Sequence, residues 1–84
     1  MKIHILQGAR QDLTDAYRFY ERNESGLGKY FLTSISADIE SLIVYAGIHP
    51  QMWGYYRMLA KRFPFVVYYR KENADICLGS DGYA

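Results

Sequence analysis

Residues 53–70, WGYYRMLAKRFPFVVYYR, decide the fold of this chain. The stretch contains half of the Trp, Tyr and Phe residues of the sequence and, together with Lys71, half of its Lys and Arg residues. Residues 55–59 alternate in character, as a strand with two different faces does. Residues 65–69 form an unbroken aromatic and β-branched run, which is typical of a strand covered on both faces. Residues 60–63 form a polar connection with two positive residues between these runs, and the stretch predicts a β-hairpin that carries cations at its tip and sides.

The composition predicts one folded domain over residues 1–84. Half of the residues are apolar and 17% are aromatic, which argues against disorder. The formal net charge of +1 conceals an uneven distribution, because residues 57–71 contain five bases and no acid. Such a local basic patch can recognise phosphates. An equally weighted interpretation is that these side chains are solvated on a sheet edge, where Lys and Arg discourage aggregation.

Several classes of site are excluded or disfavoured. Cys77 is the single cysteine, so neither an intramolecular disulfide nor a cysteine-based metal site can form. The two histidines, His4 and His49, lack the spacing of a metal motif, and we expect no metal and no cofactor. The N-terminal segment is too short and polar for a signal peptide, and no apolar run approaches the ~20 residues that span a bilayer. These features predict a cytoplasmic protein without a membrane partner.

The periodicity along the chain predicts an α+β fold with the order β-α-α-β-β-β. A first strand over residues 2–6 precedes an amphipathic helix over residues 9–23. A second helix runs from about residue 27 to residue 46, and a loop follows over residues 47–54. After the hairpin comes a last strand over residues 76–78 and a frayed tail. We expect an antiparallel sheet packed on an α-helical hairpin.

This order of elements, with its particular residues, resembles the RelE/ParE superfamily of toxins from type II toxin–antitoxin systems of the plasmid stabilisation type. The resemblance covers roughly residues 3–78, and no single motif in it is a sharp signature. The residues that carry it in the helices are Asp12-Leu13, Ala16-Tyr17, Phe19-Tyr20-Glu21, Gly26-Leu27-Gly28, Tyr30-Phe31-Leu32, Ile35, Asp38-Ile39 and Leu42. Those in the hairpin are Gly54-Tyr55-Tyr56-Arg57, Leu59 and residues 61–69.

The resemblance implies a growth-inhibiting toxin that a co-encoded antitoxin neutralises by wrapping a segment around its groove and sheet. ParE-like members poison DNA gyrase, and this is the activity that we expect. The alternative is a RelE-like endoribonuclease that cleaves ribosome-bound mRNA with Lys, Arg and Tyr or His side chains. If the chain is an enzyme, the resemblance implies this metal-independent cleavage.

The C-terminal segment departs from the family pattern. Family members continue past the position of residues 76–78 with a segment that is often rich in arginine. Here no Arg, Lys or His follows Lys71, and the segment is expected to be shortened or altered. A third interpretation is therefore a non-toxic remnant that only binds antitoxin. Tyr83 is the one residue that could replace a lost C-terminal aromatic.

Arg57 and Arg62 are the candidate catalytic residues, since a guanidinium fork suits phosphate and stays charged. The structural alternative for Arg57 is an ion pair with Asp38 or Glu40. Contacts with the target or with nucleic acid are predicted for a larger set, namely Lys61, Arg62, Arg70 and Tyr69.

The antitoxin is expected to contact two other regions. Trp53 is presented by a loop and is either an interface anchor or a lid over the core. Ile76 and Leu78 belong to a strand predicted at the sheet edge, where unpaired backbone groups invite strand addition. A heterocomplex with antitoxin or a homodimer would satisfy that edge.

Overall fold

The computed structural model describes residues 2–79, and the predicted tail beyond Gly79, including Tyr83, lies outside the described residues. The elements, in chain order, are β1 Ile3–Ile5, α1 Gln7–Asn23, α2 Leu27–Glu40, α3 Leu42–Tyr45, β2 Gln51–Met52, β3 Tyr55–Leu59, β4 Val66–Glu72 and β5 Asp75–Leu78. None of the helices within residues 2–79 is long and apolar enough to cross a membrane.

The strands form one five-stranded sheet in the order β1-β5-β4-β3-β2. Neighbouring strands are antiparallel except β1 and β5, which run parallel. The sheet packs with one face on the helical hairpin, so the predicted α+β class and the β3–β4 hairpin are confirmed. The predicted antiparallel arrangement is confirmed for β3, β4 and β5, and β1 joins the same sheet as a parallel neighbour of β5.

The prediction that residues 76–78 form an edge strand of the sheet is wrong, because β5 lies between β1 and β4. The register pairs Ile3 with Ile76 and Ile5 with Leu78. Ile76 and Leu78 are 0% and 1% exposed, and their burial beside the β1 isoleucines favours this parallel pairing. Neither side chain is therefore available to an antitoxin at a free edge.

The core lies between the sheet and the helices, with most of its large side chains on α2, β4 and β5. Its buried members among the described residues are Phe31, Ile35, Ile39, Leu42, Met58, Val67, Tyr69, Ile76 and Leu78. Helix α1 contributes no fully buried residue and covers the cluster with partly buried side chains. The apolar stripe of α2 is therefore the helical surface that packs against the sheet and fills the core.

Two local differences from the sequence-based expectation lie between the helices and the hairpin. The predicted long second helix is interrupted at Ser41, whose hydroxyl donates a hydrogen bond to the Asp38 carbonyl oxygen at 2.6 Å. Such side-chain bonding to a preceding carbonyl competes with regular helix geometry. The predicted loop over residues 47–54 also contains strand β2, which pairs with Tyr55 and Tyr56.

The connection between α1 and α2 depends on one carboxylate and one glycine. The two oxygens of Glu21 accept hydrogen bonds from the backbone N–H groups of Gly26 at 3.0 Å and Gly28 at 2.9 Å. They thereby satisfy donors at the start of α2, where a negative charge also interacts favourably with the helix dipole. A Cβ atom at Gly28 would lie 2.8 Å from the Tyr17 ring and carbonyl oxygen, so only glycine permits this close approach.

Replacing Glu21 by Ala should lower the free energy of unfolding by about 1–2 kcal/mol, because two N–H groups at the start of α2 lose their acceptor. Urea unfolding followed by circular dichroism measures the change. Glu24→Ala is the matched control, since the Glu24 side chain is exposed and only its backbone bonds across the junction. Equal stabilities of the two variants would contradict the capping role.

Candidate functional site

The face of the sheet that points away from the helices gathers charged and aromatic side chains from β3 and β4. Because side chains alternate along a strand, Tyr55 and Arg57 share this open face with Tyr68 and Arg70. Arg57 is paired with Tyr68, which makes Arg70 its diagonal neighbour at a separation of roughly 7–8 Å. All four side chains are partly buried. The hairpin thus forms a cationic surface flanked by tyrosine rings.

Arg70 contacts two side chains on this face, those of Glu72 and Tyr55. Its guanidinium forms an ion pair with Glu72 at 3.0 Å and lies 5.4 Å from the centre of the Tyr55 ring. The other Glu72 oxygen accepts a hydrogen bond from the Cys77 thiol at 3.6 Å. Arg70 Nε is nevertheless buried without a hydrogen-bond partner in the described part of the chain. An unpaired buried donor is unfavourable, so this nitrogen adds nothing to the stability that the ion pair and the ring contact give.

Arg57 does not adopt the structural role considered for it. Within residues 2–79 it forms no ion pair with Asp38 or Glu40. Its backbone N–H donates to the Pro50 carbonyl oxygen at 2.8 Å, which ties β3 to the end of the preceding loop. Its guanidinium therefore remains available on the open face.

Lys61 and Arg62 are exposed on the loop that joins β3 to β4, as predicted for the hairpin tip. The buried carboxylate of Asp38 accepts a hydrogen bond from the Lys61 backbone N–H at 3.1 Å. Helix α2 thereby fixes the loop while both cationic side chains stay in solvent. The two candidate catalytic residues are thus in different places, Arg57 within the sheet and Arg62 at its tip.

Tyr69 is misplaced in the predicted target-binding set, because it is 0% exposed. It faces the helices, stacks on Tyr56 with ring centres 5.0 Å apart, and lies at the centre of the core. Tyr68 is its partly exposed neighbour on the open face. The strand alternation predicts one buried and one exposed tyrosine, but only the packing decides which is which.

The Tyr69 hydroxyl connects the core to the loop before β2. It accepts a hydrogen bond from the Gly47 N–H at 2.9 Å and bonds to His49 Nδ1 at 2.5 Å. Burial raises the pKa of Tyr69, so the phenol keeps its proton at neutral pH. We assign the phenol as the donor and His49 Nδ1 as the acceptor. One nitrogen of this imidazole is therefore engaged in a structural hydrogen bond.

A second histidine reaches the open face from β1. His4 Nε2 lies 3.1 Å from the Asp75 carboxylate, and this hydrogen bond is the main reason that the Asp75 pKa is lowered. His4 is paired in register with Cys77, whose pKa is raised by burial and by Glu72. A thiol with a raised pKa is a poor nucleophile, so these three side chains do not form a cysteine-based catalytic triad. Sequence analysis missed the pair because its members are 71 residues apart and join only through the parallel strands.

The arrangement is suited to binding anions. Arginines donate hydrogen bonds and stay protonated, so Arg57, Arg62 and Arg70 can hold phosphate or carboxylate groups but cannot exchange protons. His4 is the imidazole on this face, two strands away from Arg70. Within residues 2–79, no three His, Cys, Asp or Glu side chains are grouped so as to hold a metal ion.

Comparison with protein families identifies the chain. Residues 3–78 match the family described as the ParE toxin of the type II toxin–antitoxin system parDE. The chain belongs to the ParE toxin family. Neither a curated protein nor a solved structure matches it.

Membership of the ParE family confirms the resemblance to RelE/ParE toxins and implies a cognate antitoxin as partner. The matched range contains every element from β1 to β5, including both the helical hairpin and the open face. The family match therefore applies to the whole described fold.

Replacing Tyr69 by Phe should lower the free energy of unfolding by about 1–3 kcal/mol, because the Gly47 N–H and His49 lose their buried partner while the ring still packs. The matched control is Tyr68→Phe in the same strand, for which we expect a change within about 0.5 kcal/mol. Urea unfolding measures both, and an equally small effect of the two changes would show that the loop is not held by this hydroxyl.

Proposed function

We propose that this chain is the growth-inhibiting toxin of a parDE-type pair, that it acts on DNA gyrase, and that a co-encoded antitoxin neutralises it. The family match supports a toxin, and the open face supports the mode of action. The observation that carries the proposal is the pair of diagonal arginines, Arg57 and Arg70, with free cations on the adjoining loop. Gyrase working on DNA offers both carboxylates and phosphates to such a surface.

The side chains around these arginines favour binding over catalysis. Cleavage of RNA without a metal needs a base for the 2′-hydroxyl and an acid for the leaving oxygen, beside cations for the phosphate. Arg57 and Arg62 supply only the cationic part. His49 is bonded to the buried Tyr69. Binding of a target through these cations, without proton transfer, is the behaviour expected of a protein that inhibits gyrase.

The second candidate function is metal-independent cleavage of ribosome-bound mRNA. The His4–Asp75 pair favours it, because a carboxylate-oriented imidazole on the face of Arg70 is the group that could move protons. Two strand spacings of about 4.8 Å separate His4 from Arg70, so one nucleotide could contact both. This activity would require His4, whereas gyrase binding would not.

Induction of the chain in a bacterial host that lacks the antitoxin should arrest growth, and co-expression of the antitoxin should relieve the arrest. With purified components, the concentration that half-inhibits gyrase supercoiling should rise by at least about tenfold in Arg57→Ala with Arg70→Ala, because both guanidinium contacts are lost. Arg18→Ala, an exposed arginine on α1, is the control.

The mRNA alternative has its own signature. Primer extension after induction would show cleaved message that disappears in His4→Ala, while gyrase supercoiling stays normal. That result would replace gyrase by the ribosome as target. Normal growth with good expression would contradict both activities and leave a chain that binds antitoxin without inhibiting growth.

A further inference from the structure

The segment between α2 and β3 exposes large hydrophobic side chains in a region without charge. Residues 41–56 contain no Asp, Glu, Lys or Arg. Five of the exposed apolar side chains here and on the adjoining strand are termed the apolar patch: Tyr45, Ile48, Met52, Trp53 and Leu59. Aromatic and methionine side chains with little charge are the composition of a protein interface core.

Three members of the apolar patch lie beside a hollow in the surface. Tyr45, Ile48 and Leu59 line a surface hollow of about 540 Å³. Pro50 and Arg57 also line it, and they form the base of the β2–β3 hairpin that carries Met52 and Trp53. Strand β2 pairs only with Tyr55 and Tyr56, so the later residues of β3 have no strand on this side within the described sheet.

Trp53 has an unfavourable backbone conformation as well as an exposed ring. Met52 and Tyr55 are paired, which leaves Trp53 and Gly54 as a two-residue turn with φ values of 53° and 81°. Two positive φ values define a type I′ turn, whose first position favours Asn, Asp or Gly. A bulky side chain is rare there, and 73% of Trp53 is exposed, so the ring gains little from burial. A residue that contributes to neither the turn nor the core suggests a role in binding.

The charges around the hollow define the chemistry of the partner. The cations Arg57 and Lys61 line it, and Lys71 lies over Gly47 in the adjoining loop. The single carboxylate in the lining, Asp38, is buried and accepts the Lys61 N–H. A complementary segment therefore has apolar side chains flanked by Asp or Glu.

We propose that the apolar patch is where the antitoxin anchors, through an acidic, amphipathic segment that covers the hollow and encloses Trp53. This inference rests on the proposed function, because it takes the antitoxin as the partner. An apolar patch is an aggregation liability in a free chain, so its occupant is a partner that stays bound rather than a target met briefly. A second copy is less suitable, since two-fold pairing would bring the lysines and arginines of both rims together.

The test uses the full chain and the protein encoded by the adjacent open reading frame, with Kd measured by calorimetry. Trp53→Asn should weaken binding by at least about 30-fold, as expected for a central aromatic anchor. The same change should raise Tm by roughly 4 °C, because Asn suits the left-handed turn position. Weaker binding by a more stable chain separates an interface role from a structural one. Trp53→Phe, which keeps a ring, should recover part of the affinity.

Two further readouts test the enclosure and the charge. Trp53 is the single tryptophan, so its fluorescence emission should shift to the blue when an antitoxin without tryptophan binds. Lys61→Glu should weaken binding by about tenfold and more strongly at low salt. Lys29→Glu on α2 introduces the same charge change away from the hollow and is the matched control.

The outcomes separate the two proposals. If the wild-type chain binds and Trp53→Asn binds within about threefold of it, the docking site is wrong while the antitoxin partnership stands. If the wild-type chain does not bind, the partnership fails and the docking site fails with it. A dimer of the free chain that Trp53→Asn converts to a monomer would assign the patch to a second copy. Loss of gyrase inhibition with unchanged antitoxin binding would assign it to the target.

Discussion

The hydroxyl of Tyr69 is the contact on which the rest of the structure depends, because it joins the buried core to the segment that leads into the hairpin. Its ring lies between the sheet and the helices, stacked on Tyr56. Its oxygen holds Gly47 and His49 at the other end. Pro50, one residue farther along, is tied to Arg57. The segment that carries most of the apolar patch is thus attached to the core through one buried phenol.

The helical hairpin supplies the opposite support. Glu21 and Gly28 set how closely α1 and α2 approach, and α2 then carries the stripe that fills the core. Asp38, at the other end of α2, holds the loop with Lys61 through a backbone N–H. A buried carboxylate is unfavourable unless it is hydrogen-bonded, and this bond makes the tip of the hairpin a defined element. Helix α2 therefore holds in place the loop that carries Lys61 and Arg62.

The two proposed surfaces share a border at Arg57, which belongs to the open face and also lines the hollow. An antitoxin segment in the hollow would cover one of the two diagonal arginines proposed to hold gyrase. Neutralisation then needs no change of shape in the toxin, since the antitoxin and the target would compete for the same guanidinium. The Trp53 turn, at the other end of the β2–β3 hairpin from this arginine, would provide the apolar contact for the same antitoxin segment.

The sequence by itself determined the element types, the β3–β4 hairpin, the apolar stripe of α2 and the family, because periodicity, turn residues and residue order are local properties of the chain. It could not decide the parallel pairing of β1 with β5, which joins residues more than 70 positions apart and turned a predicted edge into an interior strand. It also could not decide which of Tyr68 and Tyr69 is buried, because a period of two leaves the two faces equivalent until helices cover one of them. The His4–Asp75 pair and the hollow beside Arg57 also depend on residues that are distant in the sequence and are brought together only by the fold. Local sequence patterns determine the strands and helices. Packing against distant parts of the chain determines which of their side chains stay exposed and can bind a partner.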